Sequence, residues 1–245
     1  MNSEHSAEEP IDANKLRAKL REDPFYLARW SGDEEEIRRI QQAMDEFSKA
    51  AAPLLEELTQ AGYPLDRLSD LYRNKTYANK SCYQRAVPIL LRWLPQIDNL
   101  RVKDEIVRIL SVKWAKPAAA LPLIDEFLRA PDYSVSSYKW AIGNALSVVA
   151  DDSVFDDIVK LVQDKQHGRA REMVVVALGN MSNPRAVDVL LNLLNDDEVA
   201  GHAIFALGKL KAKGSKEYIE PFLNHPRAWI RKAAKRALSK IDKTK

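Results

Sequence analysis

A single cysteine, Cys82, in 245 residues excludes an intrachain disulfide framework. Glycine is scarce, at eight residues, and alternating strand patterns are almost absent, so the composition leans helical. No apolar run approaches the ~18 residues that a membrane-spanning helix needs, and the densest stretch is only Met173 to Leu178. The opening MNSEHSAEEP has neither the basic nor the apolar region of a secretory signal. A soluble, cytoplasmic protein with no membrane partner is expected. Hydrophobic residues, at 46%, are enough for a packed core.

Catalytic signatures are missing as well. The histidines are His5, His167, His202 and His225, and no pair stands at metal-ligand spacing. There is no phosphate loop, no dinucleotide fingerprint and no Gly-x-Ser-x-Gly elbow. Cys82 has no histidine partner nearby in sequence and reads as a small buried filler. His202, between Gly201 and Ala203 and without companion ligands, reads as a packed or surface histidine. Acidic pairs such as Asp151-Asp152, Asp156-Asp157 and Asp196-Asp197 precede helical patterns, where carboxylates favour the helix N-terminus. No catalytic, cofactor-binding or metal residue is therefore assigned. The chain is expected to bear no cofactor and not to be an enzyme.

What is present is a repeat. An apolar pair followed by a small residue recurs as Ile109-Leu110-Ser111, Ala141-Ile142-Gly143, Ala177-Leu178-Gly179, Ala206-Leu207-Gly208 and Ala237-Leu238-Ser239. The small residues are 32, 36, 29 and 31 positions apart, within the periods of helical repeat proteins. Each copy belongs to the second of two amphipathic stretches. The first stretches are Val87 to Leu94, Leu121 to Leu128, Phe155 to Val162, Ala186 to Leu194 and Ile219 to Leu223, with apolar residues at the helical period. Asp98, Pro131-Asp132, Asp164, Asp196 and His225-Pro226 break the chain between stretches, and Asn183-Pro184 suits a helix start. The small residue is expected where a unit's helices meet the next unit's first helix, allowing close backbone approach. A unit of this length cannot bury its own apolar stripe, so neighbours must stack.

Asn183 to Leu210 and Pro226 to Ile241 resemble HEAT repeats, in particular the short bacterial kind shared with the phycobilisome lyases. The closest stretch is His225-Pro226-Arg227-Ala228-Trp229-Ile230-Arg231-Lys232-Ala233-Ala234. The resemblance spans about residues 82–242 in five units. It implies an all-α fold, a right-handed α-α superhelix or HEAT-like solenoid with a helical N-terminal cap. The arginine usual in the second helix stands at Arg171 and Arg231, with Lys103 in its place once and two units lacking it. A side-chain ladder built on it is expected to be incomplete.

The organisation that follows is a disordered N-terminus at 1–10, a helical cap region at 11–81, repeats at 82–242 and a basic tail at 243–245. Within the cap, 11–21 is a helix candidate closed by Asp23-Pro24. A long helical pattern runs from Asp33 to Gln60 with Glu34–Arg38 and Glu35–Arg39 pairs, and Pro53 is expected to bend or divide it. Leu65 to Tyr72 reads as a further helix, and Arg73 to Ser81 as a loop. Residues 1–60 hold 14 acids and 8 bases, so the remainder carries the positive excess of a chain whose net charge is +3. An N-terminal cap shields the first repeat; a separate partner-binding arm is the alternative.

In the family the second helices line the inside of the curve, which makes equivalent positions into columns. Three before each small residue stand Arg108, Trp140, Val176, Phe205 and Arg236; ten before stand Arg101, Tyr133, Arg169, Glu198 and Trp229; seven before, Lys232 closes the series. These positions share one helical face. The expected partner-binding residues are Arg101, Arg108, Tyr133, Trp140, Arg169, Val176, Phe205, Trp229, Lys232 and Arg236. Trp140, Val176 and Phe205 are apolar where a solvated helix is polar, and Arg and Trp are enriched at hot spots. The expected function is a non-catalytic adaptor, scaffold or inhibitor, such as an immunity protein, binding another protein with an acidic surface. A bilin-lyase-like enzyme or chaperone is the second class. Nucleic-acid binding, or a fold like the alkylpurine glycosylases with Trp114, Trp140 and Trp229 stacking on bases, is the third.

Overall fold

The structure, a computed structural model, describes residues 34–74, 76–77, 79–131 and 137–243. The expected N-terminal disorder, the helix candidate at 11–21, Tyr133 and residues 244–245 lie outside them. The protein is all-α, and no strand occurs among the described residues. It divides into two compact units, Met1–Ala50 and Ala51–Lys245.

Helix α1, Glu34–Gln60, crosses that division. Three glutamates occupy its first turn, where the helix dipole favours them. Arg39 donates to Glu35 at 2.5 Å, and Arg38 lies 4.0 Å from Glu34. Of the two expected outcomes at Pro53, division does not occur: α1 runs through it without a break. Ala51, Leu54 and Leu58 are fully buried on either side of it. At ~1.5–3 kcal/mol for each buried leucine, their packing offsets the ~3 kcal/mol an internal proline costs. The pattern over Leu65 to Tyr72 also resolves differently. Leu65, Leu68 and Leu71 are buried, but only α2, Asp70–Arg73, is helical. The Asp70 carboxylate accepts from the Arg67 N–H at 3.0 Å and closes the turn that precedes α2.

Five helix pairs follow, all in the second unit. They are α3 Lys80–Trp93 with α4 Leu100–Leu110, α5 Ala120–Arg129 with α6 Tyr138–Val149, and α7 Phe155–Gln163 with α8 Arg171–Leu178. The last two are α9 Arg185–Leu193 with α10 Ala200–Leu210, and α11 Lys216–Ile219 with α12 Ala228–Asp242. Short polar side chains start these elements as the breaks suggested. Asn79 accepts from Cys82, Asn99 (rather than Asp98) from Arg101 and Val102, and Asn183 from Arg185. Asp151, Asp164 and Asp196 likewise accept from backbone N–H groups two residues on.

Each second helix packs on its own first helix and on the next second helix, whereas consecutive first helices touch only sparsely. The row α4–α6–α8–α10–α12 is therefore the tight layer of a helical solenoid. Leu178, Leu190, Leu194 and Leu207 are all buried, as the repeat register requires.

The repeated small residues explain the tightness, through contacts other than those expected. Gly143, Gly179 and Gly208 face the next second helix, not the next first helix. A Cβ at Gly179 would lie 2.9 Å from the Cα of Ala206, and one at Gly208 only 2.6 Å from the Cα of Ala237. Gly143 and Gly208 sit inside α6 and α10; Gly179 caps α8 with right-handed angles, so left-handed freedom is not its role. The left-handed residue that ends α10 is Lys211. Gly208→Ala should cost ~1–3 kcal/mol, because the atoms in the way are backbone and cannot rotate aside. Denaturant unfolding measures it; a change below ~0.5 kcal/mol, the range of ordinary surface sites, would show that α10 and α12 separate freely.

Candidate functional site

The incomplete ladder sets the helix ends around the site. Arg171 is fully buried. It donates to Asp196 at 2.8 Å and Glu198 at 2.7 Å, across to the α9–α10 turn of the next unit, and to the Val162 carbonyl at 3.1 Å. Lys103, its equivalent, reaches Glu126 of the next unit at 2.8 Å. The Tyr138 hydroxyl donates to the same carboxylate at 2.9 Å, and burial, followed by that carboxylate, pushes the phenol above its usual range. Arg231 turns back to the carbonyls of His225 and Pro226 in its own unit. The Arg171 and Lys103 contacts bridge neighbouring units and use polar groups that would otherwise be orphaned inside.

The expected face is present only in parts. Arg101 and Arg108 are exposed on α4, and Arg108 donates to Asp104 at 2.6 Å. Arg108 and Trp140, the latter half-buried, line a cavity of about 300 Å³. Glu105, on the same helix, has a buried oxygen without a hydrogen-bond partner, and burial pushes its carboxyl above the usual range. Val176 is 9% exposed and packs in the second-helix row, so it offers a partner almost nothing and interrupts the apolar column. α8 packs closely on both α6 and α10, and Val176 lies within that row.

At the C-terminal end the expected residues do converge. Phe205, Trp229, Lys232 and Arg236 line one groove of about 750 Å³ between α10 and α12. Phe205 and Trp229 are each 45% exposed, unusual for large apolar side chains. The Trp229 indole lies against Gly201, where a Cβ would stand 2.0 Å from its ring, and 5.3 Å from the His202 ring. Lys240, also lining the groove, holds its amine 5.5 Å from the Phe205 ring centre. Arg169 is exposed and donates to Glu172 at 2.9 Å. It belongs to an adjoining cavity of about 540 Å³ that shares His202 and Trp229 and carries Asp197, Glu198 and Arg227.

Two groups that column counting did not assign to the site matter here. His202 forms part of both cavities, and its Nδ1 is buried without a partner. Burial pushes its pKa below the usual range, opposed by Glu172 and assisted by Arg169, so the ring stays neutral at neutral pH. Lys209 donates to Asn180, and burial, then Lys240 and Lys116, push its amine below the usual range. The small residue Gly201 was the available signal, since a missing side chain there makes room for a neighbouring ring. Among the described residues no cluster of His, Cys, Asp and Glu is placed to hold a metal ion. No helix among them is long and apolar enough to cross a membrane.

Residues 121–200 match the family model for HEAT repeats. The chain carries HEAT-like repeats. The HEAT-like chain is similar to the bilin biosynthesis protein PecE of Nostoc sp., with 29% identity over 128 residues. That match takes in 51% of this chain and 50% of PecE, so the chain spans about half the length of that relative. A designed armadillo repeat protein solved in complex with the peptide (KR)4 aligns over 85% of this HEAT-like chain and 94% of its own. Its TM-score is 0.40 and its identity 19%.

Proposed function

We propose that this HEAT-like protein is a non-catalytic binding module whose protein partner docks on the second-helix face, at its C-terminal end. The observation that carries this reading is the pair Phe205 and Trp229, each nearly half exposed in a groove with Lys232, Lys235, Arg236 and Lys240 along it. Solvated helices do not ordinarily leave two large aromatics side by side. Aromatics of this kind supply contact area at low entropic cost, while surrounding cations select an acidic partner and speed its approach.

The test is affinity capture with the full chain and with Phe205→Ala/Trp229→Ala, followed by a binding titration on the captured protein. The double variant should bind at least ~2 kcal/mol more weakly, the loss typical of hot-spot truncation, with unchanged helicity. A partner held equally well by the variant would move the interface elsewhere. A second reading, bilin handling, is favoured by the similarity to PecE over half of the chain. Titration with a bilin, followed by its visible absorbance, separates the two, since a protein-only groove leaves the spectrum unchanged.

A further inference from the structure

We propose that the groove between α10 and α12 recognises an extended acidic peptide segment with carboxylates on alternate residues and an apolar side chain between them. This deepens the reading above and rests on it. On α12, Trp229, Lys232, Arg236 and Lys240 follow one another at three, four and four residues, which places them in one stripe. All four are exposed. Among the described residues, no carboxylate lies within ion-pair distance of Lys232 or Arg236.

The spacing of this stripe selects the ligand's conformation. Four residues of helix rise about 6 Å, so the three cations stand at steps of about 6 Å along α12. Two residues of extended chain advance about 6.6 Å. Carboxylates on alternate residues therefore stay within about 1.2 Å of register over three cations, well inside the reach of lysine and arginine side chains. In an extended chain the intervening side chains point the opposite way, here toward Phe205 and the neutral His202 on α10.

The charge pattern also limits the length of the acidic run. Past Trp229 the adjoining cavity bears Glu172, Asp197 and Glu198 beside Arg169 and Arg227, so the continuous positive strip ends there. A polymer charged at every unit gains along α12 and loses that gain beyond it. A peptide with about three carboxylates and an apolar anchor matches the whole groove.

Two fluorescent hexapeptides of identical composition test this, one with three glutamates on alternate positions around a phenylalanine, the other with the glutamates consecutive. Fluorescence anisotropy against the full chain at low salt should show the alternating peptide binding at least tenfold tighter. Added salt should weaken that binding, and Lys232→Glu/Arg236→Glu should abolish the preference while circular dichroism stays unchanged. Equal affinities for the two peptides, or no binding by either, would overturn the proposal. The partner-binding reading would still stand if Phe205→Ala/Trp229→Ala loses the captured protein. Tighter binding of a single-stranded oligonucleotide with equal charge would also overturn it, by assigning the strip to a phosphate backbone.

Discussion

Arg171→Ala should destabilise the repeat unit by about 3–5 kcal/mol, the usual loss when one partner of a buried ion pair is removed. The guanidinium is fully buried and donates to two carboxylates and to the carbonyls of Val162 and Gly168, and through the carboxylates α8 grips the turn that starts α10. Without it, Asp196 keeps its partly buried position but loses its cation. Arg171→Lys should recover only part of the loss, because an ammonium cannot span both carboxylates with a planar fork. Denaturant unfolding of the full chain measures both variants, and a loss below 1 kcal/mol for alanine would show the ladder to be dispensable.

The same pair carries a pH signature. Burial alone would raise the Asp196 carboxyl, but hydrogen bonds from Arg171 and from the Glu198 N–H, with the Arg171 charge, outweigh it and hold the group below its usual range. A carboxyl whose folded pKa is depressed contributes stability above its unfolded pKa of about 3.9, and that contribution disappears as pH falls through the folded value. The gap in stability between the parent and Arg171→Ala should therefore be full at neutral pH and narrow below about pH 4. A gap that stays constant into that acid range would detach Asp196 from the effect.

Leu207→Ala should cost ~2–5 kcal/mol. Leu207 is fully buried in α10, the helix that packs on both α8 and α12, and its carbonyl also accepts the closing bonds of the α10 C-terminus. Because stacked repeats are stabilised by their neighbours, protection against hydrogen exchange should fall in α8 and α12 as well as in α10. Loss confined to α10 would contradict the nearest-neighbour coupling.

The sequence alone determined the helix pairs and their register. Apolar spacing at the helical period placed α5, α7 and α9 to within a residue or two, because amphipathicity is a property of neighbouring residues along one chain. It also located the recurring small residues and the arginine positions, including the two units without one. It misjudged the stretch over Leu65 to Tyr72, where leucines at helical spacing are buried but only the last residues are helical.

Tertiary structure decided which column positions stay open. Val176 and Phe205 occupy equivalent places in their units, yet one is covered and the other half exposed. Both helices are packed on both sides, α8 by α6 and α10, and α10 by α8 and α12, so the difference lies in the side chains around each position: Phe205 opens onto the groove it shares with Trp229 and the α12 stripe. Periodicity is identical for both residues, so no reading of the chain separates them. The pairing of Trp229 with Gly201 and His202, across 28 positions of sequence between 201 and 229, likewise arises only when two helices pack and a missing Cβ receives a ring. Burial of a side chain depends on the distances between elements, and sequence patterning fixes orientation about a helix axis but not those distances.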